Sequence, residues 1–441
     1  MNKKREKITD EIKIERPLAK KIERRITDLM SLQEEIKGKL SSSTSDLLNM
    51  IMAGGISLGT SDIHIEPTEE KAKMRIRIDG VLQDVVEFDK KTYNSLISRI
   101  RLTSGVKLNV ENKPQDGRFT ILYPGDDKNK EYSIEIRMSI LPSEYGGAIV
   151  MRILDPRNLI TIDKLGLRDE LLQIFKREIK KPNGMIIVTG PTGSGKTTSL
   201  YAFLKHINSS EIKIITIEDP IEYHLDGISQ TEVAPDEGYT FANGLRAIVR
   251  QDPDAILVGE IRDLETASIG LQAALTGHTV FSTLHTNDAA GAIPRLQALG
   301  EKPVNIAPAV NVIIAQRLVR KLCNRCKEEV NLKESGYFEK VKSSLENLSD
   351  KKEVDYSEET AIFKAKGCKN CNFTGYRGRL GIFEALVVDE DLQDLIFSNP
   401  STSEIRNRAI EKGMVTLKQD GIIKFLKGET TAEEIDRVVG L

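Results

Sequence analysis

Eight residues, Gly190-Pro191-Thr192-Gly193-Ser194-Gly195-Lys196-Thr197, fit the pattern GxxxxGK(S/T), and their flanks leave few folds open. A short apolar run, Met185 to Val188, leads in. Leu200, Phe203, Leu204 and Ile207 follow at the i, i+3, i+4, i+7 spacing of a helix with one apolar face. Strand, glycine-rich loop and helix in that order build a phosphate cradle. The glycines let backbone N–H groups turn inward, and the helix N-terminus adds partial positive charge. Lys196 is placed to reach the β- and γ-phosphates, and Thr197 to put its hydroxyl on Mg²⁺, with Thr198 beside it in the first helical turn. ATP and Mg²⁺ are the expected ligands.

Further apolar runs, Ile214 to Ile217, Ala255 to Val258 and Thr279 to Leu284, alternate with helical patterns over residues 155–320. Continuous apolar strands separated by helices predict an α/β core whose parallel sheet is covered on both faces. Such a sheet binds its ligands at the carboxyl ends of its strands, and two acidic clusters lie there. The first runs from Ile217 through Glu218, Asp219 and Pro220 to Glu222; the second runs from Asp252 to Asp263, with Gly259-Glu260 at the strand end. Glu260 is expected to activate water and Glu218 to act at the same centre, with Asp219 and Glu222 ranked below them. The segment Thr276 to Asn287 carries a strand into His285, which suits a γ-phosphate sensor.

At 441 residues the chain has length for about three domains. Residues 1–45 read as a charged helical arm or linker, with Ile22, Ile26, Leu29, Met30 and Gln33 on one helical face. The run Ser41 to Ser45 offers an N-cap for a helix beginning near Asp46. Residues 46–154 read as a small α+β domain. Its strands are expected at Asp62 to Glu66, Met74 to Asp79, Val81 to Val86, Arg118 to Tyr123 and Tyr132 to Met138, with a turn at Pro124 to Asp126 and a helix near Tyr93 to Leu102. Residues 321–375 are bracketed by cysteines, and residues 376–441 read as a helical bundle of short helices.

The four cysteines fall as two CxxC pairs, Cys323/Cys326 and Cys368/Cys371. No apolar segment resembling a secretion signal precedes them, which favours a metal over disulfides. Four thiolates suit tetrahedral Zn²⁺ in a closed structural site; four reduced thiols or a redox pair are the alternatives.

These segments together resemble the ATPases of type II secretion and type IV pilus assembly. The resemblance rests on Ser61 to Pro67, Arg77 to Gly80, Gln115 to Arg118, Arg137 to Pro142, the phosphate loop, Ile217 to Glu222, Arg250 to Asp263, the His285 segment, the tetracysteine and Gly375 to Arg379. It implies a RecA-like P-loop core, preceded by the small domain and followed by the zinc module and helical bundle. It also implies a homohexameric ring on the cytoplasmic face of the membrane, acting through a platform protein on pilin-like subunits. In the family, arginines of the small domain approach the phosphates; by motif position these are Arg75, Arg77, Arg99 and Arg118, with Arg379 a weaker candidate. Many members carry a larger N-terminal docking domain, which leaves the charged arm here as the candidate for that role. Retraction motors lack the tetracysteine, so the cysteines favour assembly or secretion.

Two other classes compete. A nucleic-acid translocase on the same core would favour a basic, aromatic-rich chain, whereas the net charge is −2 and aromatics are 5%. No nucleic-acid partner is therefore expected. A nucleotide-dependent scaffold without turnover would need a damaged site, yet Lys196, Thr197, Glu218 and Glu260 are all present.

Overall fold

The computed structural model describes residues 11–125, 131–346, 348 and 355–441. The first ten residues of the charged arm, Asp126 of the expected turn and part of the stretch between the cysteine pairs lie outside the described residues. The fold divides into two units, Met1–Asn158 with Lys366–Gly375, and Leu159–Ala365 with Tyr376–Leu441.

The first unit opens with β1 (Glu11–Lys13), α1 (Arg16–Arg25), α2 (Leu29–Lys37) and α3 (Thr44–Ser57). There follow β2 (Asp62–Pro67), β3 (Lys71–Ile78), β4 (Val81–Asp89), α4 (Lys90–Thr103), β5 (Gln115–Pro124), β6 (Glu131–Ser143) and β7 (Gly146–Leu154). The strands form one sheet in the order β1-β5-β6-β7-β2-β3-β4. Alternation sets its two faces: Ala72, Met74, Ile76 and Ile78 of β3 are buried, while the residues between them carry charge. The helices cover the apolar face, where Leu48, Ile51, Leu96 and Ile100 share a core with Ile63, Ile121 and Ile136.

Residues 11–37 differ from the expectation of a single charged arm. The helical stripe breaks at Asp28, whose carboxylate accepts from Ser31 N at 2.8 Å and caps a second short helix. Ile12, Ile14, Ile22, Ile26, Leu32 and Ile36 join the core of the α+β module. Each contributes about 1.5–3 kcal/mol by leaving water. Gly54 makes the close approach of α2 to α3 possible, since a Cβ there would stand 2.5 Å from Leu32 Cδ1. Strand β7, absent from the sequence expectations, runs through the middle of the sheet between β6 and β2.

The second unit is built on α5 (Asp169–Glu178), β8 (Gly184–Thr189), α6 (Lys196–Ile207), β9 (Ile214–Glu218), β10 (Ser229–Glu232), α7 (Phe241–Val249), β11 (Ala255–Val258), α8 (Leu264–Leu275) and β12 (Thr279–Leu284). Next come α9 (Ala292–Ala298), α10 (Pro303–Ala309), β13 (Val310–Leu322), β14 (Lys327–Asn331), α11 (Phe338–Leu345), β15 (Ala361–Ala365) and β16 (Tyr376–Val387). The chain closes with α12 (Glu390–Phe397), α13 (Thr402–Glu411), α14 (Leu417–Leu426) and α15 (Ala432–Val439).

Its main sheet runs β10-β9-β11-β12-β8-β13-β16. Every neighbouring pair is parallel except β13 with β16. Both faces are covered, as the continuous apolar runs predict. Met185 and Ile187 of β8 enter one core with Leu245, Leu271 and Ile306, and Ile186 and Val188 enter another with Phe175, Phe203 and Leu204. Residues 376–387 differ from the expected helices: they form a long edge strand before α12 to α15, with Leu380, Ile382, Phe383 and Leu386 buried. The small hairpin of β14 and β15 packs Ile362 with Leu332, Val341 and Phe425 in a core of its own.

Candidate active site

The loop after β8 bends where its glycines stand. Gly190, Gly193 and Gly195 have φ of 151°, 79° and 89°, a region other residues avoid. At Gly190 a Cβ would also lie 2.6 Å from the Gln316 carbonyl oxygen. Gln316, buried on β13, accepts from Ser199 Oγ at 2.7 Å and so fixes the start of α6. Lys196 Nζ donates to the carbonyls of Gly190 and Pro191 at 2.8 and 3.2 Å, folding back over the loop. Burial pushes its pKa down, and neighbouring Glu260 opposes that push. Pro191, Thr192 and Gly193 form the exposed rim, Ser194 is buried, and Thr197 and Thr198 lie half-buried in the first turn of α6. Mg²⁺ fits Thr197 by donor chemistry, since a hydroxyl beside phosphate oxygens is an oxygen ligand for a hard cation.

Glu218, at the end of β9, is 3% exposed. Its Oε1 accepts from Thr216 Oγ1 at 2.5 Å and Gln230 Nε2 at 3.1 Å, and its Oε2 accepts from the Tyr201 hydroxyl. Burial pushes its pKa up, against the pull of these three donors. Glu260, after β11, meets Arg262 at 2.5 Å and His285 Nε2 at 3.6 Å. Burial and then the charge of Lys196 lower the His285 pKa. With the ring neutral, its approach to Glu260 is a polar contact rather than an ion pair. Asp219 is exposed and Glu222 half-buried.

Behind His285, Thr189 and Thr286 join their hydroxyls at 2.8 Å, tying the end of β8 to the loop after β12. Arg317, buried beside the glycine loop, donates to the Asn287 carbonyl at 2.7 Å. Sequence reasoning missed Arg317, Gln316, Tyr201 and Gln230. Tyr201 lies off the apolar stripe of its helix, and the others carry no local pattern.

Of the expected arginines, Arg75, Arg77, Arg99 and Arg118 belong to the first unit and Arg379 to the second. Arg118, Arg137, Arg152, Asp62 and Arg77 face one another in register across β5, β6, β7, β2 and β3. Asp62 pairs with Arg77 and Arg152 at 3.3 and 3.2 Å, and Glu135 with Arg137 at 3.1 Å. Like charges directly opposite cost stability, so these carboxylates offset part of a built-in repulsion. Arg75 pairs with Glu66 at 2.6 Å. Arg99 belongs to α4, the helix packed on the apolar face, apart from the row. Arg379 is exposed on β16, opposite Arg320.

The thiol sulfurs of Cys323, Cys326, Cys368 and Cys371 all lie within 4.8 Å of one another. Cys368 and Cys371 hold theirs 3.8 Å apart. Zinc–sulfur bonds of about 2.3 Å separate tetrahedral sulfurs by about 3.8 Å, so the donor set fits Zn²⁺. The N–H groups of Cys368 and Gly375 donate to Cys371 Sγ at 3.2 and 3.3 Å, as outer-shell bonds to a thiolate do.

The sequence profile described as Type II/IV secretion system protein matches residues 39–437. The chain belongs to this family. It is 43% identical over 420 residues to the Type II secretion system ATPase E of Vibrio cholerae serotype O1, covering 93% of this chain and 80% of that protein. With the Type IV pilus assembly ATPase PilB of Myxococcus xanthus the identity is 39% over 412 residues, covering 92% and 69%. The crystal structure of the pilus retraction motor PilT with bound ADP is similar with a TM-score of 0.57 at 27% identity, over 88% of this chain and 95% of that one. The ATPase DotB of Legionella pneumophila has a TM-score of 0.62 at 21% identity, over 89% and 95%, a likeness of fold alone. Like its relatives in the type II/IV secretion family, the chain is an ATPase with a RecA-like core.

Proposed function

We propose that the chain works as a homohexameric motor that hydrolyses ATP to drive assembly of type IV pilus or type II secretion pseudopilus subunits through a membrane platform protein. The gathering of Lys196, Glu260 and His285 at one end of the parallel sheet carries this reading. Lys196 would leave its loop carbonyls for the β- and γ-phosphates of ATP, and the inward N–H groups of Gly193 to Thr198 would cradle them. Glu260 would orient the attacking water and accept its proton, while His285 reads the γ-phosphate and Glu218 acts beside them. Mg²⁺, held through Thr197, would neutralise phosphate charge. Arg118 and Arg77, with Arg75 and Arg99 as further candidates, would meet phosphate charge from the small domain. Their planar, permanently charged guanidinium groups suit that task.

Zinc on the four cysteines would hold the fold and supply no chemistry. The place proposed for the chain is the cytoplasmic face of the membrane; among the described residues no helix is long and apolar enough to cross one. ATP turnover of the wild type against Glu260→Gln, over a protein concentration series with mass measured on the same samples, tests the reading. Activity that rises as hexamers form, and a Gln variant that binds without turnover, are expected. Equal inactivity of both proteins as hexamers, even with the platform protein added, would leave only a scaffold.

A further inference from the structure

Glu218 is bound more completely than a carboxylate waiting for a reactant needs to be. Both of its oxygens are occupied, and its donors come from three elements: Thr216 on its own strand, Tyr201 on α6 and Gln230 on β10. Tyr201 is 1% exposed and receives the Glu222 N–H at 3.3 Å, so the phenol proton is committed to Glu218. The amide of Gln230 is equally fixed. Its Nε2 also donates to the Tyr223 carbonyl at 3.0 Å, and its Oε1 accepts the Leu225 N–H at 2.7 Å. Turning that amide over would set a donor against the Leu225 N–H, so the donor facing Glu218 is determined.

We propose that Tyr201 and Gln230 are positioning residues for ATP turnover, which aim the Glu218 carboxylate and hold it ionised at the end of β9. The inference rests on the reading of Glu218 as a catalytic residue. A carboxylate so deeply buried loses hydration, and donated hydrogen bonds replace it; hydrogen bonds to a charged group are the strong ones. Tyr201 sits just over one helical turn beyond Lys196 on the helix that opens at the phosphate loop. Any shift of α6 when nucleotide enters moves the phenol and therefore the carboxylate, so the state of the loop reaches the acidic strand end through one hydrogen bond. Other charged groups near Glu218 include Asp219, next to it in the chain, Glu222, whose charge opposes its ionisation, and Glu232, its in-register neighbour on β10.

The test measures kcat and KM for ATP from acid to alkaline pH on the full chain, for wild type, Tyr201→Phe, Gln230→Leu and Glu218→Gln. Loss of the phenol proton is expected to lower kcat about tenfold near neutral pH with KM nearly unchanged. The acidic limb of the kcat profile should move to higher pH, because Glu218 then protonates more easily. Gln230→Leu should move the limb the same way by a smaller amount, and it carries the test if Tyr201→Phe does not fold. Folded Tyr201→Phe and Gln230→Leu proteins whose acidic limb stays where the wild type has it would overturn the proposal, whatever happens to thermal stability. Full turnover by Glu218→Gln is a separate result: it would remove the catalytic reading of Glu218 itself.

Discussion

The ends of β9 and β11 carry the same chemical group and treat it in opposite ways. Glu218 is sealed under Tyr201, Thr216 and Gln230, with both oxygens bonded. Glu260 is half-buried, paired on one side with exposed Arg262 and approached on the other by His285. A base that must meet water needs an oxygen that water can reach, which favours Glu260. A carboxylate that supplies a fixed, oriented charge beside the reaction needs the opposite, which is what Glu218 has. Position along a strand therefore says that an acid is near the reaction; its neighbours say what it can do there.

The largest effect should come from removing what both ends serve. Lys196→Ala should take turnover to background, and unchanged hydrolysis would withdraw the phosphate-loop assignment itself. Next, Glu260→Gln should lower kcat by about 10² to 10⁴, the range of a lost general base, with ATP binding retained. Glu218→Gln should cost less, about ten- to a hundredfold, because a neutral amide keeps part of the hydrogen-bond set. Equal losses in the two variants would erase the distinction drawn between the strand ends.

The pH profile sharpens the same contrast. Burial holds the Glu218 carboxyl above its ordinary value of 4.5. If its ionised form is needed, kcat should fall on the acid side as that carboxyl protonates, and a kcat that stays flat there would count against any role for ionised Glu218. Arg262→Ala should change kcat by less than about fivefold, since the Glu260 pair is exposed on the arginine side. Stripping zinc, or Cys323→Ser, should act on neither strand end. Thermal stability should drop with loss of one bound zinc per chain, while the ratio of Glu260→Gln to Glu218→Gln activity stays fixed. A metal-free wild type of equal stability would refute the zinc site.

Much of the site is legible in the sequence. The cradle is a contiguous segment with its own conformational demands, and the expected runs at 255–258 and 279–284 coincide with β11 and β12. The burial of Glu218 is not legible there, because its cover comes from Tyr201, 17 positions away on α6, and from Gln230 on β10. Arg77 and Arg118 stand out by motif, but their alignment with Arg137 and Arg152 depends on strand register, which no single strand encodes. Residues 376–387 read as part of a helical bundle; burial runs without a break from Leu380 to Glu384, and pairing with β13 decides the outcome.

What the sequence determined by itself is whatever a period or a short spacing can carry: the glycine loop between an apolar strand and an amphipathic helix, the acids at strand ends, and the two CxxC pairs. Those signals are local, because φ/ψ preferences and the periods of 2 and 3.6 act over a few residues. Tertiary structure decided the rest: the sealing of Glu218, the openness of Glu260, the row of arginines and the meeting of the two cysteine pairs. Each depends on desolvation and on hydrogen bonds between groups far apart in the chain, and those energies exist only once the strands have paired and the helices have closed over them.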